Sequence, residues 1–112
     1  MRSRTEFVRV RKEGKSFGGR FFGLGVLSAP ELTEPFKFGI ILTRKVGNAV
    51  VRNRIRRRAR AIIGELGDKV GKPAYLVTIA RHSAPKASFE ELRRDWKKLA
   101  CKAGILSDSV PA

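Results

Sequence analysis

Six arginines fall between Arg52 and Arg60 in the segment VGNAVVRNRIRRRARAI, residues 46–62, and no carboxylate follows until Glu65. The guanidinium group is a planar fork that grips phosphate at two points and stacks on bases, which lysine does poorly. The residues between the arginines are equally ordered. Val51, Ile55, Ala59, Ile62 and Leu66 follow steps of 4, 4, 3 and 4. At about 100° per residue they fall within an arc of about 80°, which is the core-facing stripe of a helix. Arg52, Arg56 and Arg60 then form one row at i, i+4, and Arg54 and Arg58 form another, with Arg57 between the first row and Arg54. Asn53 points almost directly away from the core stripe. Like charges spaced this way cost a helix a few tenths of a kcal/mol per pair. Stability alone would have interleaved glutamate. With Arg44 and Lys45 just ahead, the run makes one positive face, and release of counterions from a phosphate backbone would drive its binding.

Other reactive residue types are sparse. A protein nuclease needs a metal-binding acidic cluster or a histidine-based acid–base pair. The one histidine, His82, sits between Arg81 and Ser83 with no carboxylate near it in sequence. Glu90, Glu91 and Asp95 belong to a later helical segment, where Glu91 is placed to cap and Asp95 to pair with Arg94 or Lys98 on the surface. Cys101 is the single cysteine, too few for a disulfide or a cysteine-based zinc site. No catalytic side chain and no protein-held metal is expected.

Composition agrees with a polyanionic partner. The 112 residues carry 25 Lys and Arg against 10 Asp and Glu, a net charge of +15, so the folded chain repels itself until an anion meets it. A 42% hydrophobic fraction suffices for a core. The length suits one domain, 1–112, with residues 104–112 expected as a frayed tail. The start MRSRTEF is basic but no apolar segment follows it, and runs such as GIIL are too short to span a bilayer. A cytoplasmic protein without a membrane partner is expected.

The elements that must position the arginines read as follows. A short helix covers about Arg4 to Lys12, with Phe7 and Val10 on one face and Gly14 ending it. A strand runs from about Arg20 to Leu27, placing Phe22, Leu24 and Val26 on one face and Phe21, Gly23, Gly25 and Leu27 on the other. A second strand, FKFGIILT, alternates Phe36, Phe38, Ile40 and Leu42 with Lys37, Gly39, Ile41 and Thr43. RKVGN is a basic turn in which Asn48 caps the arginine helix, and Gly67 stops that helix. AYLVTIAR is a strand apolar on both faces, hence central. Ser88 and Glu91 form a capping box for a last helix whose stripe is Phe89, Leu92, Trp96, Leu99 and Ala103. The order is helix, strand, strand, helix, strand, helix, and a small sheet with helices on one face would bury every stripe.

The stretch RKVGNAVVRNRIRRRAR resembles the signature of the protein subunit of bacterial ribonuclease P, K-x-G-N-A-V-x-R-N-R-I-K-R. Lys45, Gly47, Asn48, Ala49, Val50, Arg52, Asn53, Arg54, Ile55 and Arg57 match it, and Arg56 replaces a lysine with charge kept. The likeness extends to Glu6, Phe7 and Gly14 near the start and to Ala80 and Arg81 at the end of the third strand. It implies a two-layer α/β (α+β) sandwich with a small mixed sheet. It also implies a βαβ unit that crosses over left-handed, against the usual rule. The function implied is removal of the 5′ leader of precursor tRNA, with the RNA subunit as catalyst and Mg²⁺ held mainly by that RNA. By position, Arg44, Lys45, Asn48, Arg52, Asn53, Arg54, Arg56, Arg57 and Arg60 would meet the catalytic RNA. Phe7 and Arg11 would line a leader cleft floored by Phe21, Gly23, Gly25, Lys37 and Thr43. Arg11 stands where many members carry a second aromatic, and Gly25 where others carry one, so leader contact would be more electrostatic here. A ribosomal or assembly protein binding rRNA explains the charge equally well but not the glycine-floored face. A helix-turn-helix DNA reader fits worse, because a strand precedes the arginine helix.

Overall fold

The computed structural model describes residues 4–33, 36–71 and 73–106, with Arg4 described in its backbone only. The start of the chain, loop positions 34, 35 and 72, and the tail beyond Leu106 lie outside the described residues. The elements are α1 (Arg4–Glu13), β1 (Lys15–Gly18), β2 (Phe22–Ser28), β3 (Lys37–Ile41), α2 (Ala49–Gly67), β4 (Ala74–Ala80) and α3 (Phe89–Lys102), with single 3₁₀ turns at Arg44–Val46 and Ala84–Lys86. The sheet order is β1-β2-β4-β3. β1 pairs antiparallel with β2, β2 antiparallel with β4, and β3 parallel with β4. The fold is thus α+β with a small mixed sheet, and β4 is interior, as its doubly apolar pattern requires.

Alternation across the strands separates two cores. Phe22 and Leu24 of β2 and Leu76 of β4 join Ile55, Ala59, Ile62, Ile63 and Leu66 of α2 and Leu92, Trp96 and Leu99 of α3 in the larger one. Thr78 is buried on that side and its hydroxyl accepts from Trp96 Nε1 at 3.0 Å. The smaller core holds Val10 of α1 with Ala29, Tyr75 and Val77, and Phe7, Leu27 and Ile41 pack against it. Tyr75 and Val77 alternate with Leu76, so α1 lies on the opposite face from α2 and α3. The expectation of helices on one face therefore fails for α1. Its stripe is narrow, and the larger core is already closed by two longer helices.

Three local readings also change. β1 is an additional strand, paired with β2 through Lys15↔Val26 and Gly18↔Gly23. Its four residues are mostly exposed, so they carry no burial alternation to read. Phe89 is exposed at the first turn of α3 rather than part of its buried stripe. Residues 104–106 are not a frayed tail. Gly104 takes φ +78° and lets the chain reverse, Ile105 N–H donates to Ala100 O at 3.1 Å, and Gly104 N–H donates to Cys101 O at 3.1 Å. This pairing closes the helix end, and Ile105 and Leu106 are buried beyond it.

Candidate nucleic-acid interface

The arginine helix starts from a residue-level device. Gly47 has φ +151°, and a Cβ there would lie 2.8 Å from Val51 Cγ1, so only glycine fits the turn. Asn48 then accepts from Val51 N–H at 3.0 Å and caps α2. The core stripe behaves as the spacing predicts: Ile55, Ala59, Ile62 and Leu66 are buried, Ile63 joins them, and Val51 is half-buried at the edge.

The six arginines divide into groups. Arg57 and Arg60 are exposed on the outermost stripe with Val50 and Asn53. Arg52, Arg54, Arg56 and Arg58 lie on the flanks, half-buried. Arg54 Nη2 donates to Pro85 O and Arg58 Nη1 donates to Ala87 O, both at 3.3 Å, so this row straps the 84–87 turn to α2. Arg56 Nη1 donates to Asn53 Oδ1 at 3.1 Å. The Nε atoms of Arg52 and Arg54 are buried without a hydrogen-bond partner. Among the described residues the ion pairs are Arg9–Glu13, Arg9–Glu31, Lys37–Glu6 and Arg93–Glu65, and none of them includes an arginine of α2. Arg44 and Lys45, in the 3₁₀ turn before the cap, are exposed and extend the cationic face. Val50, Asn53, Arg54, Arg56, Arg57 and Arg60 line a shallow groove along it.

The opposite face of the sheet is divided by α1. Residues in register form rows: Leu27, Tyr75 and Lys37; Gly25, Val77 and Gly39; Gly23, Ile79 and Ile41. α1 covers the first two. Arg9 lies over the Tyr75 ring at 5.9 Å, and a Cβ on Gly25 would stand 3.2 Å from Val10 Cγ1. The third row is open, with Ile79 43% exposed. Helical spacing puts Glu6, Arg9 and Glu13 on one flank of α1 and Phe7 and Arg11 on the other, and Phe7 packs against the same core as Ile41.

This geometry corrects part of the expected cleft. Phe21 is 7% exposed and belongs to the larger core, because it precedes β2 rather than alternating within it. Gly25 is roofed by Val10 rather than open. Lys37 lies beneath the far flank, 3.9 Å from Glu6, and about 20 Å along the strand from Thr43. Of the expected set, Gly23 lies in the open third row, Phe7 packs against the same core as Ile41 of that row, Arg11 is exposed on the same flank of α1, and Thr43 is exposed beyond the end of β3. Two residues missing from the expected set join them. Ile79 is one. Arg81 is the other, exposed, with its guanidinium so near Gly18 that a Cβ there would lie 2.8 Å from Nη2. The period of two, followed from Val77 through Ile79 and one residue past the end of β4, could have found both.

Asp95 is also corrected. Its carboxylate accepts from the backbone N–H groups of Arg20, Phe21 and Phe22 at 2.9 to 3.0 Å rather than pairing with a neighbouring cation. It fixes the β1–β2 turn against α3. His82 is exposed.

The comparisons agree along most of the chain. Residues 1–104 match the family model Ribonuclease P. The ribonuclease P protein component of Syntrophomonas wolfei is 35% identical over 107 residues, 96% of this chain and 88% of the relative. That of Symbiobacterium thermophilum is 38% identical over 106 residues, 95% and 91% of the two chains. Among solved structures, the Staphylococcus aureus RNase P protein superposes with TM-score 0.87 at 24% identity, covering 96% of both chains. The Thermotoga maritima RNase P protein does so with TM-score 0.79 at 26% identity, covering 88% of this chain and 92% of that one. A capped, unopposed arginine helix beside an α+β sheet, matched over nearly its full length in this way, belongs to the ribonuclease P protein component family, the protein partner of an endoribonuclease that processes tRNA.

Proposed function

We propose that the chain binds the catalytic RNA of ribonuclease P through α2 and holds the 5′ leader of precursor tRNA in the opening beside α1, promoting endonucleolytic removal of the leader. The observation that carries this reading is the cationic face of α2, for which the described part of the molecule supplies no carboxylate partner. Arg57 and Arg60 offer their forks outward, and Arg44 and Lys45 continue the charge from the α2 cap toward Thr43 at the cleft mouth. There Phe7 presents a ring beside Gly23, where a single strand can lie close and stack a base. Arg11 and Arg81 supply the phosphate contacts.

The chain contributes binding rather than bond cleavage. In line with the family, we assign Mg²⁺ to the RNA subunit. There it would supply an activated water and neutralise charge at the scissile phosphate. We place this work in the cytoplasm, as the family membership supports.

Reconstitution tests the proposal. Adding the protein to a bacterial ribonuclease P RNA should raise precursor tRNA cleavage at low Mg²⁺, where the RNA alone is poor. No stimulation, together with tight binding to rRNA, would overturn the assignment in favour of a ribosome-binding role.

A further inference from the structure

The outermost stripe of α2 is not wholly cationic. Among the described residues Val50 is 77% exposed, far more than the next large hydrophobic residue, Ile79, at 43%. It stands one turn ahead of Asn53 and two ahead of Arg57, in the groove those residues share with Arg54, Arg56 and Arg60. Nothing in the fold accounts for it. The larger core begins on the other side of the helix, and the Asn48 cap is made through Val51 N–H. Valine is also a poorer helix former than alanine, lysine or arginine, any of which would suit an exposed first turn. Its neighbours restrict what can lie against it. An apolar protein surface would have to desolvate the surrounding guanidinium groups without pairing them, whereas a nucleotide brings phosphates to the arginines and an uncharged face to the valine. Asn53 strengthens the argument. Its Oδ1 accepts from Arg56, which fixes the amide and leaves its Nδ2 hydrogens to donate outward beside Val50.

We infer that Val50 is a shape-reading contact of the RNA interface: it packs against the flat face of an unstacked base of the RNA subunit while the flanking arginines hold the phosphates on either side. The inference rests on the proposed RNA-binding role of α2 and assigns it a component that salt does not screen. Arginines alone would grip any phosphate backbone, and a valine among them favours a site where a base is turned out of its stack.

The test measures affinity for a transcribed bacterial ribonuclease P RNA across a range of KCl concentrations. The chains compared are wild type, Val50→Ala, Val50→Thr and the double variant Arg57→Ala/Arg60→Ala. Val50→Ala improves helix propensity, so a thermal melt at or above wild type shows that weaker binding is not unfolding. Removing two methyl groups from an apolar contact should weaken binding about 5- to 15-fold at every salt concentration and leave the salt slope unchanged. Val50→Thr keeps the shape and should weaken binding as well, because its hydroxyl would have to leave water to lie against a base face. The arginine double variant should flatten the slope. If both Val50 variants bind within twofold of wild type while the arginine variant flattens the slope, the base contact is refuted and α2 remains an electrostatic ridge. If the arginine variant leaves the slope unchanged too, the RNA-binding reading of α2 fails and the Val50 contact with it.

Discussion

Adjacent residues in the motif do unlike work. Gly47 is present because its φ and its nearness to Val51 exclude a side chain, and Asn48 because α2 has an amide to satisfy. Arg57 is exposed, and in the proposed reading it serves a partner outside the molecule. The Asn48 cap and the burial of Trp96 follow from spacing and are legible in the sequence, whereas the φ of Gly47 and the Thr78 hydroxyl that meets Trp96 Nε1 emerge only in the fold. The roles of Asp95 and Phe21 are not legible in the sequence either, since the amides that Asp95 accepts lie more than seventy positions earlier in the chain. Phe7 belongs to both classes, half-buried against the smaller core and turned to the open row of the sheet. Phe7→Ala should weaken binding of leader-bearing precursor tRNA to the reconstituted holoenzyme by several-fold more than binding of leaderless tRNA. Equal losses for the two substrates would make the ring simply part of the core.

At the scale of elements, helix ends were more legible than sheet edges. A cap is a local arrangement, so Ser88 and Glu91 announce α3, and both halves of the capping box are present. β1 is defined only by pairing with β2, and its exposed residues carry no signal of it. The strap from Arg54 and Arg58 to the 84–87 turn was equally hidden, because two arginines in a like-charged run look identical to their neighbours until a carbonyl is set beside them. The capping box makes a pH prediction. The Ser88 backbone N–H holds the Glu91 carboxyl below its ordinary 4.5, with the Ser88 side chain adding to the effect. A depressed carboxylate stabilises the fold fully above its unfolded pKa, and that contribution is lost as pH falls through the folded value. Glu91→Gln should therefore lower the melting temperature near neutrality and narrow its gap to wild type below about pH 4.5. A gap that stays constant into acid would mean that the carboxylate charge contributes nothing to the cap.

For the whole molecule, the organising fact is charge left over. A net +15 over 112 residues is not balanced internally: the described ion pairs engage Arg9, Lys37 and Arg93 and none includes an arginine of α2. That excess was legible from composition, and its concentration on one helix from the spacing of Val51, Ile55, Ala59 and Ile62. The division of the sheet into a helix-covered and an open face was not. It depends on α1 crossing to the side away from α2 and α3, which no single segment encodes. The segment Thr43, Arg44 and Lys45 links the end of β3 to the α2 cap, so in the proposed reading one RNA follows charge from the α2 ridge to the open row of the sheet. The most direct test of that account is the salt dependence of binding to the ribonuclease P RNA. Arg57 and Arg60 suit it best, being exposed and free of the hydrogen bonds that tie Arg54 and Arg58 to the 84–87 turn. Replacing both with alanine should reduce the slope of log K against log salt by about 1.5 to 2 units, the share of two phosphate contacts. A slope identical to wild type would show that the exposed guanidinium groups of α2 do not meet the RNA.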